Sequence, residues 1–363
     1  MIISSSTTLR AIVDQLTVEE HLNPDTAAEI SEIVSTLTAE KSNPWYIQAI
    51  IGLAAWLAAV PFIGFLSSIS ALESATSMMV LGSFFCIIAV GSQYIIRKSL
   101  FVAQLALAFS LAGQILLIGG IGWATDNLRM TALAVIILEL ILIAVYPDSL
   151  HRFLSTIVIP GAILFLLFDL EIQEAVHVLI VALGVGTVAI WENESYLAEN
   201  VPENLYRPLG YGLVVSLLYV LILSIVNVFG TSLVEVNYWW VSSIGLLLIL
   251  LALEYFILTS AQLGASRTII GLVIIGTIIV FLPTLQAPGI VAAVLVLALG
   301  FHRGNVLLMG LATVFFALFL IIFYYNLALT LLTKSLILMA TGLALFGLRF
   351  LLMKWLETTE VNV

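Results

Sequence analysis

Residues 130–152 read MTALAVIILELILIAVYPDSLHR: one acid, Glu139, stands in an apolar run that closes at Tyr146 and is followed by Arg152. The run is long enough to cross a bilayer as a helix, and an arginine just past its end is the ordinary cytoplasmic anchor. An acid in mid-span is costly in lipid, so it belongs against protein or against water. A second stretch, residues 238–267, YWWVSSIGLLLILLALEYFILTSAQLGASR, repeats the arrangement. Glu254 precedes Arg267 by thirteen residues, the separation of Glu139 from Arg152.

Composition extends this reading to the whole chain. Of 363 residues, 62% are hydrophobic and 9% charged, against about 45–50% and about 25% in a soluble domain. So few charges cannot cover a surface in water, and lipid must solvate most of the chain. The net charge of −10 argues against nucleic-acid partners, which need basic patches. The single cysteine, Cys86, excludes an intrachain disulfide and reads as a small buried apolar side chain.

Hydropathy predicts an all-α transmembrane bundle of about twelve spans (ten to twelve): 46–68, 76–96, 99–123, 130–146, 152–169, 173–191, 208–230, 238–261, 267–282, 288–301, 305–325 and 329–351. The ninth and tenth are short, and the 283–288 turn between them fits a re-entrant hairpin as well as a pair of crossings. With the N-terminus cytoplasmic, the inside set is Arg10, Lys41, Arg97, Lys98, Arg152, Arg207, Arg267, Arg303, Arg349 and Lys354, and the outside set is Arg129 alone. This strict alternation is a strong positive-inside bias and puts both termini in the cytoplasm. Trp45, Trp123, Trp191, Trp239, Trp240 and Trp355 fall at span ends, where an interfacial aromatic belt belongs. Residues 97–120 resemble residues 302–325, which raises an internal repeat of helical hairpins.

Residues 1–45 lack the basic and apolar regions of a cleavable signal, so targeting is expected from the first span. Leu9, Ile12, Val13 and Leu16 share one helical face, and Asn23-Pro24 starts a second helix with the stripe Ala27, Ile30, Val34 and Leu37. The segment reads as an acidic cytoplasmic hairpin, repelled by anionic lipid and packed on itself, on cytoplasmic loops or on a partner. Residues 352–363 form a cytoplasmic tail.

Glu139 and Glu254 are the candidate proton or solute sites, because a carboxyl in a low-dielectric interior favours its neutral form and can carry a proton. Lys334 lies five residues into the last span, where it snorkels outward or pairs with outer acids. Asp169, Glu171, Glu174 and His177 form an outer acidic cluster able to draw cations to a pore mouth. Glu174-x-x-His177 is the helical di-metal spacing, but no second copy exists, so a solvated acidic turn is expected rather than a metal site. His151 and His302 read as solvated loop residues beside arginines. The acidic 192–207 segment is a cytoplasmic loop, and its Asn193-Glu194-Ser195 sequon is therefore not used. Pro160-Gly161 sits inside a span, where it frees backbone carbonyls. No nucleophile elbow, phosphate loop, zinc helix or haem ligand pair occurs, so no cofactor and no enzymatic activity are expected.

The run NPWYIQAIIGLAAWLAAVPFIGFL, with its Pro44-Trp45-Tyr46 start and its Ala55-Trp56-Leu57-Ala58 core, resembles the opening of a bacterial membrane-protein family called domain of unknown function 4401. The resemblance carries no site residues. It implies an inner-membrane location and, through the habit of such members to be encoded beside other membrane proteins of the same operon, a membrane complex. Two functions follow as expectations: a permease for a small solute or ion using Glu139 and Glu254, or a non-catalytic component of an envelope complex docked through the N-terminal hairpin.

Overall fold

A computed structural model of the chain describes residues 73–95, 100–228, 236–260 and 267–326, with the single positions Pro61, Gly64, Phe65 and Met339. The expected N-terminal hairpin, Lys334 and the C-terminal tail lie outside the described residues, as do the first and last spans apart from those four positions. Every regular element among the described residues is helical. They are α1 (Ala75–Ile95), α2 (Leu100–Thr125), α3 (Leu128–Val145), α4 (Ser149–Asp169), α5 (Val176–Glu192), α6 (Glu194–Asn200), α7 (Glu203–Val228), α8 (Trp240–Ser260), α9 (Arg267–Phe281), α10 (Pro288–His302) and α11 (Val306–Asn326). Eight of them, α1 to α5, α7, α8 and α11, are long and apolar enough to cross a membrane.

The boundaries follow from local chemistry. Asn127 caps α3 by accepting from the N–H groups of Arg129 and Met130, and Asp148 caps α4 by accepting from His151 N–H. Gly304, at φ +62°, lets the chain leave α10, and the Asn305 side chain then caps α11 through the N–H groups of Leu307 and Leu308. The 192–207 segment, expected as a loop, instead contains α6 and the first turn of α7.

The chain divides into two units, 1–120 and 121–363. In the first, α1 packs on α2 backbone to backbone. A Cβ at Gly82 would stand 2.6 Å from the Gly113 carbonyl oxygen, and one at Gly120 would stand 2.8 Å from that of Ala75. Cys86 is buried in this contact, its thiol 3.7 Å from the Ser110 carbonyl oxygen.

The second unit is organised around α10. This helix has 15 residues, about 22 Å of rise, too short for an apolar layer of about 30 Å. Ten of its residues, from Pro288 to Gly300, are buried, and α5, α7, α8 and α11 pack around it. Gly289, Ala292, Ala293 and Gly300 supply the small faces such close packing needs. The equally short α9 ends in a 3-10 turn at Leu282–Thr284 and leaves Leu272, Ile275 and Ile279 exposed.

Candidate functional site

The acid that opens the sequence reading is the most enclosed carboxylate described. Glu139, on α3, is 1% exposed, and its Oε2 is buried without a hydrogen-bond partner. The α3–α4 hairpin places it at the depth of Ser155 of α4, each six residues from the turn. Ser155 Oγ lies 3.2 Å from His151 Nδ1, one turn earlier. His151 is not a solvated loop residue: it is 1% exposed, and the Tyr146 ring stacks on it at 4.1 Å. It falls in the first turn of α4, which the sequence reading started at Arg152, and that shift of three residues hid its burial.

Arg152 is likewise buried rather than a free anchor. Its Nε donates to the Ile143 carbonyl at 3.0 Å and its Nη1 to the Asn204 carbonyl at 2.9 Å. One guanidinium thus closes the C-terminal end of α3, where cations are favoured, onto the start of α7. Asn204 completes the tie by donating its amide to the Pro147 carbonyl at 2.9 Å.

Pro160 removes the N–H that would bond the Thr156 carbonyl. That carbonyl accepts from Ser216 Oγ of α7 at 3.3 Å, and the next one, of Ile157, accepts from the Tyr219 hydroxyl at 3.0 Å. The break in α4 is therefore bonded across helices, as apolar surroundings require.

Glu254 is elsewhere and differently held. It is half-buried on α8, and Thr277 Oγ1 of α9 lies 2.9 and 3.0 Å from its two carboxylate oxygens. The two candidate acids thus belong to separate helix pairs, α3–α4 and α8–α9.

The outer cluster divides in two. Arg129 binds the Asp169 carboxylate through Nε, and its Nη2 donates to the Asp169 carbonyl at 3.1 Å, joining the start of α3 to the end of α4. Glu171 turns the chain with φ +59°. Beyond it, His177 is buried, with Nδ1 2.7 Å from Ser242 Oγ and Nε2 donating to the Asn237 carbonyl at 2.8 Å. Glu174 Oε2 lies 3.1 Å from Nε2, and its Oε1 accepts from Asn237 N–H at 3.1 Å. This Ser–His–Glu chain uses the ring nitrogens the opposite way round from a hydrolase triad, with Nδ1 on the serine and Nε2 on the acid, and Ser242 is fully buried. It joins α5 to α8. No group of three or more candidate metal ligands occurs among the described residues.

A family model described as domain of unknown function (DUF4401) matches residues 44–355. The chain belongs to the DUF4401 family. No curated protein matches it, and no solved structure does.

The helical composition of this DUF4401 chain is that of a multi-pass membrane protein. Its α3–α4 hairpin provides what a proton-handling site needs: an enclosed carboxyl with one free oxygen, beside a hydroxyl and an imidazole. Sequence reasoning found Glu139 and missed His151 and Ser155. The i, i+4 spacing of those two on α4 was the available signal.

The DUF4401 chain also carries a partly buried ion pair that the sequence did not announce. Arg303, past the end of α10, binds Glu192 at the end of α5, with Nη2 3.1 Å from Oε2. His302 Nε2 approaches the same oxygen at 3.7 Å. Two clefts open at this end of the unit. One of about 580 Å³ lies between α4, α7 and α11, with Ser149, Glu203 and Arg207 on its wall. The other, of about 440 Å³, lies between α5 and α8, with Glu192 and Phe256 on its wall. Neither is lined by Glu139 or Glu254.

Proposed function

We propose that this chain is a protein of the bacterial inner membrane with ten to twelve spans and both termini cytoplasmic, that moves a small solute or ion together with a proton carried by Glu139. The observation that carries the reading is the unpartnered Oε2 of a fully enclosed Glu139. A buried carboxyl with no structural partner for one oxygen costs stability unless that oxygen has a use. Arg129 with Asp169 lies at one end of the α3–α4 hairpin and Arg152 at the other, so the acid stands between two charged ends. The alternation of basic residues survives whether α9 and α10 cross the bilayer or form a re-entrant pair, because either arrangement returns the chain to the side it left.

Glu254 is the weaker partner in this reading, since the Thr277 hydroxyl lies within hydrogen-bond distance of both of its oxygens. The test is proton movement into proteoliposomes under an imposed pH gradient, comparing wild type with Glu139→Gln. Loss of flux in a folded variant supports the reading. Folded wild-type protein that moves no protons returns the weight to a component of a membrane complex.

A further inference from the structure

We infer that α9, the turn at 282–287 and α10 form a re-entrant hairpin. It enters the membrane and leaves it on the side of Arg267 and Arg303, with its turn inside the apolar layer. The twelve apolar runs of the sequence then make ten crossings. This concerns the path of the chain and does not rest on the role of Glu139.

α9 and α10 have 15 residues each, about 22 Å of rise, against an apolar layer of about 30 Å. A short helix can still cross where the bilayer thins around it. Depth is therefore read from the neighbours, and two contacts give it.

The first contact joins α10 to α11, which run antiparallel through the turn at Gly304. Gly300, near the end of α10, packs on the first turn of α11, where a Cβ would stand 2.9 Å from Leu308 and 3.0 Å from Met309. Gly289, near the start of α10, packs on Phe319. Phe319 lies seven residues before the end of α11 at Asn326, so α10 begins about 10 Å short of that end.

The second contact joins α9 to α8. The two helices are connected by residues 261–266 and run antiparallel. Thr277 Oγ1 of α9 lies 2.9 Å from the Glu254 carboxylate. Glu254 is fourteen residues from the start of α8 at Trp240, about 21 Å. Past Thr277, α9 runs on for four residues to Phe281, about 6 Å. Its end therefore stops about 15 Å short of the start of α8. Both arms of the pair end part-way along neighbours that are long enough to cross.

The turn has the chemistry of that depth. Residues 282–288, LPTLQAP, carry no charge, whereas the turns of this unit at Asp126, Asp148, Glu171 and Arg303 each carry one. Pro283 and Pro288 bring no N–H to satisfy. The Ala287 N–H donates to the Thr284 carbonyl at 2.8 Å and the Ile290 N–H to the Ala287 carbonyl at 3.0 Å. Thr284 Oγ1 donates to the Phe281 carbonyl at 2.9 Å. The turn thus bonds largely to itself, as irregular backbone inside the apolar layer requires. Leu282, 63% exposed at its start, suits lipid better than water.

The test is thiol labelling of the full-length protein in membranes opened so that both faces meet the reagent, a polymer-linked maleimide too large to enter a cavity. Wild type is the blank, because Cys86 is buried. Gln286→Cys and Leu282→Cys report the turn, and both positions are exposed among the described residues and leave room for a cysteine. Ile172→Cys and Asn193→Cys, exposed as well, report the connections at the two ends of α5. The turn variants are expected to stay at the wild-type blank while Ile172→Cys and Asn193→Cys label to completion. All four are expected to label fully in sodium dodecyl sulfate. Either turn variant serves if the other folds poorly. Labelling of folded Gln286→Cys or Leu282→Cys as fast as Ile172→Cys would put the turn in water, and the hairpin would give way to two crossings.

Discussion

The Ser216 hydroxyl of α7 donates at 3.3 Å to the carbonyl of Thr156 on α4, the group that Pro160 leaves without a helical donor. The proline break is thus part of the contact between two helices. Ser216→Ala is expected to cost about 0.6–1.7 kcal/mol, the range measured for hydrogen bonds between membrane helices. In a Pro160→Ala background, where residue 160 regains an N–H for Thr156, the same change is expected to cost less. Thermal unfolding of the four proteins in detergent measures the coupling, and an equal cost in both backgrounds would contradict it.

The centrality of α10 rests on Gly289. A Cβ there would meet the Phe319 ring of α11 at 2.3–2.6 Å. Gly289→Ala is expected to destabilise by about 1–3 kcal/mol, the usual cost of overpacking, and Phe319→Leu to recover part of the loss. Gly271 on α9 is the control, because a Cβ at that position meets nothing within 4 Å. Paired melts of the two alanine variants should separate them clearly.

Glu192 and Arg303 are both mostly buried, 12% and 19% exposed at their side chains. Arg303→Gln leaves the Glu192 carboxylate with His302 alone and is expected to cost about 1–3 kcal/mol, because the pair is only partly buried. The double variant with Glu192→Gln is expected to lose far less, because it leaves no lone charge. A double-mutant cycle reads the difference, and additive losses would argue that the pair is not a unit.

Glu254 and Glu139 are expected to differ in consequence. Glu254→Gln keeps a side chain that can bond Thr277 and is expected to leave proton flux within about twofold of wild type, in line with its half-buried, partnered state. Flux in reconstituted vesicles checks this, and a loss as large as that of Glu139→Gln would join the two acids in one path.

Much of this architecture was legible because the apolar runs are long and the charges sparse. α1, α2, α3 and α8 begin and end within two residues of the spans read from hydropathy. What hydropathy does not see is which way a residue at a span end points. Trp191 and Trp239 were read as belt residues, but both are buried, Trp191 against Tyr211 at 4.8 Å and Trp239 against His177 at 5.5 Å. Arg152 and His151 were assigned to solvent for the same reason. Sequence position gives depth along a helix, whereas the facing direction is set by neighbours more than fifty residues away, such as Asn204 for Arg152. The centrality of α10 was hidden too, since its apolar run differs from a lipid-facing one only in its small residues.

The most direct test of the central claim compares proton flux in proteoliposomes of wild type, Glu139→Asp and Glu139→Gln, each matched for thermal stability. If the enclosed carboxyl of Glu139 carries the proton, wild type conducts, Asp conducts more slowly because its shorter side chain draws the carboxyl back towards the α3 backbone, and Gln does not conduct. Flux in Glu139→Gln equal to wild type would show that the proton takes another path, and the account of this site would fail.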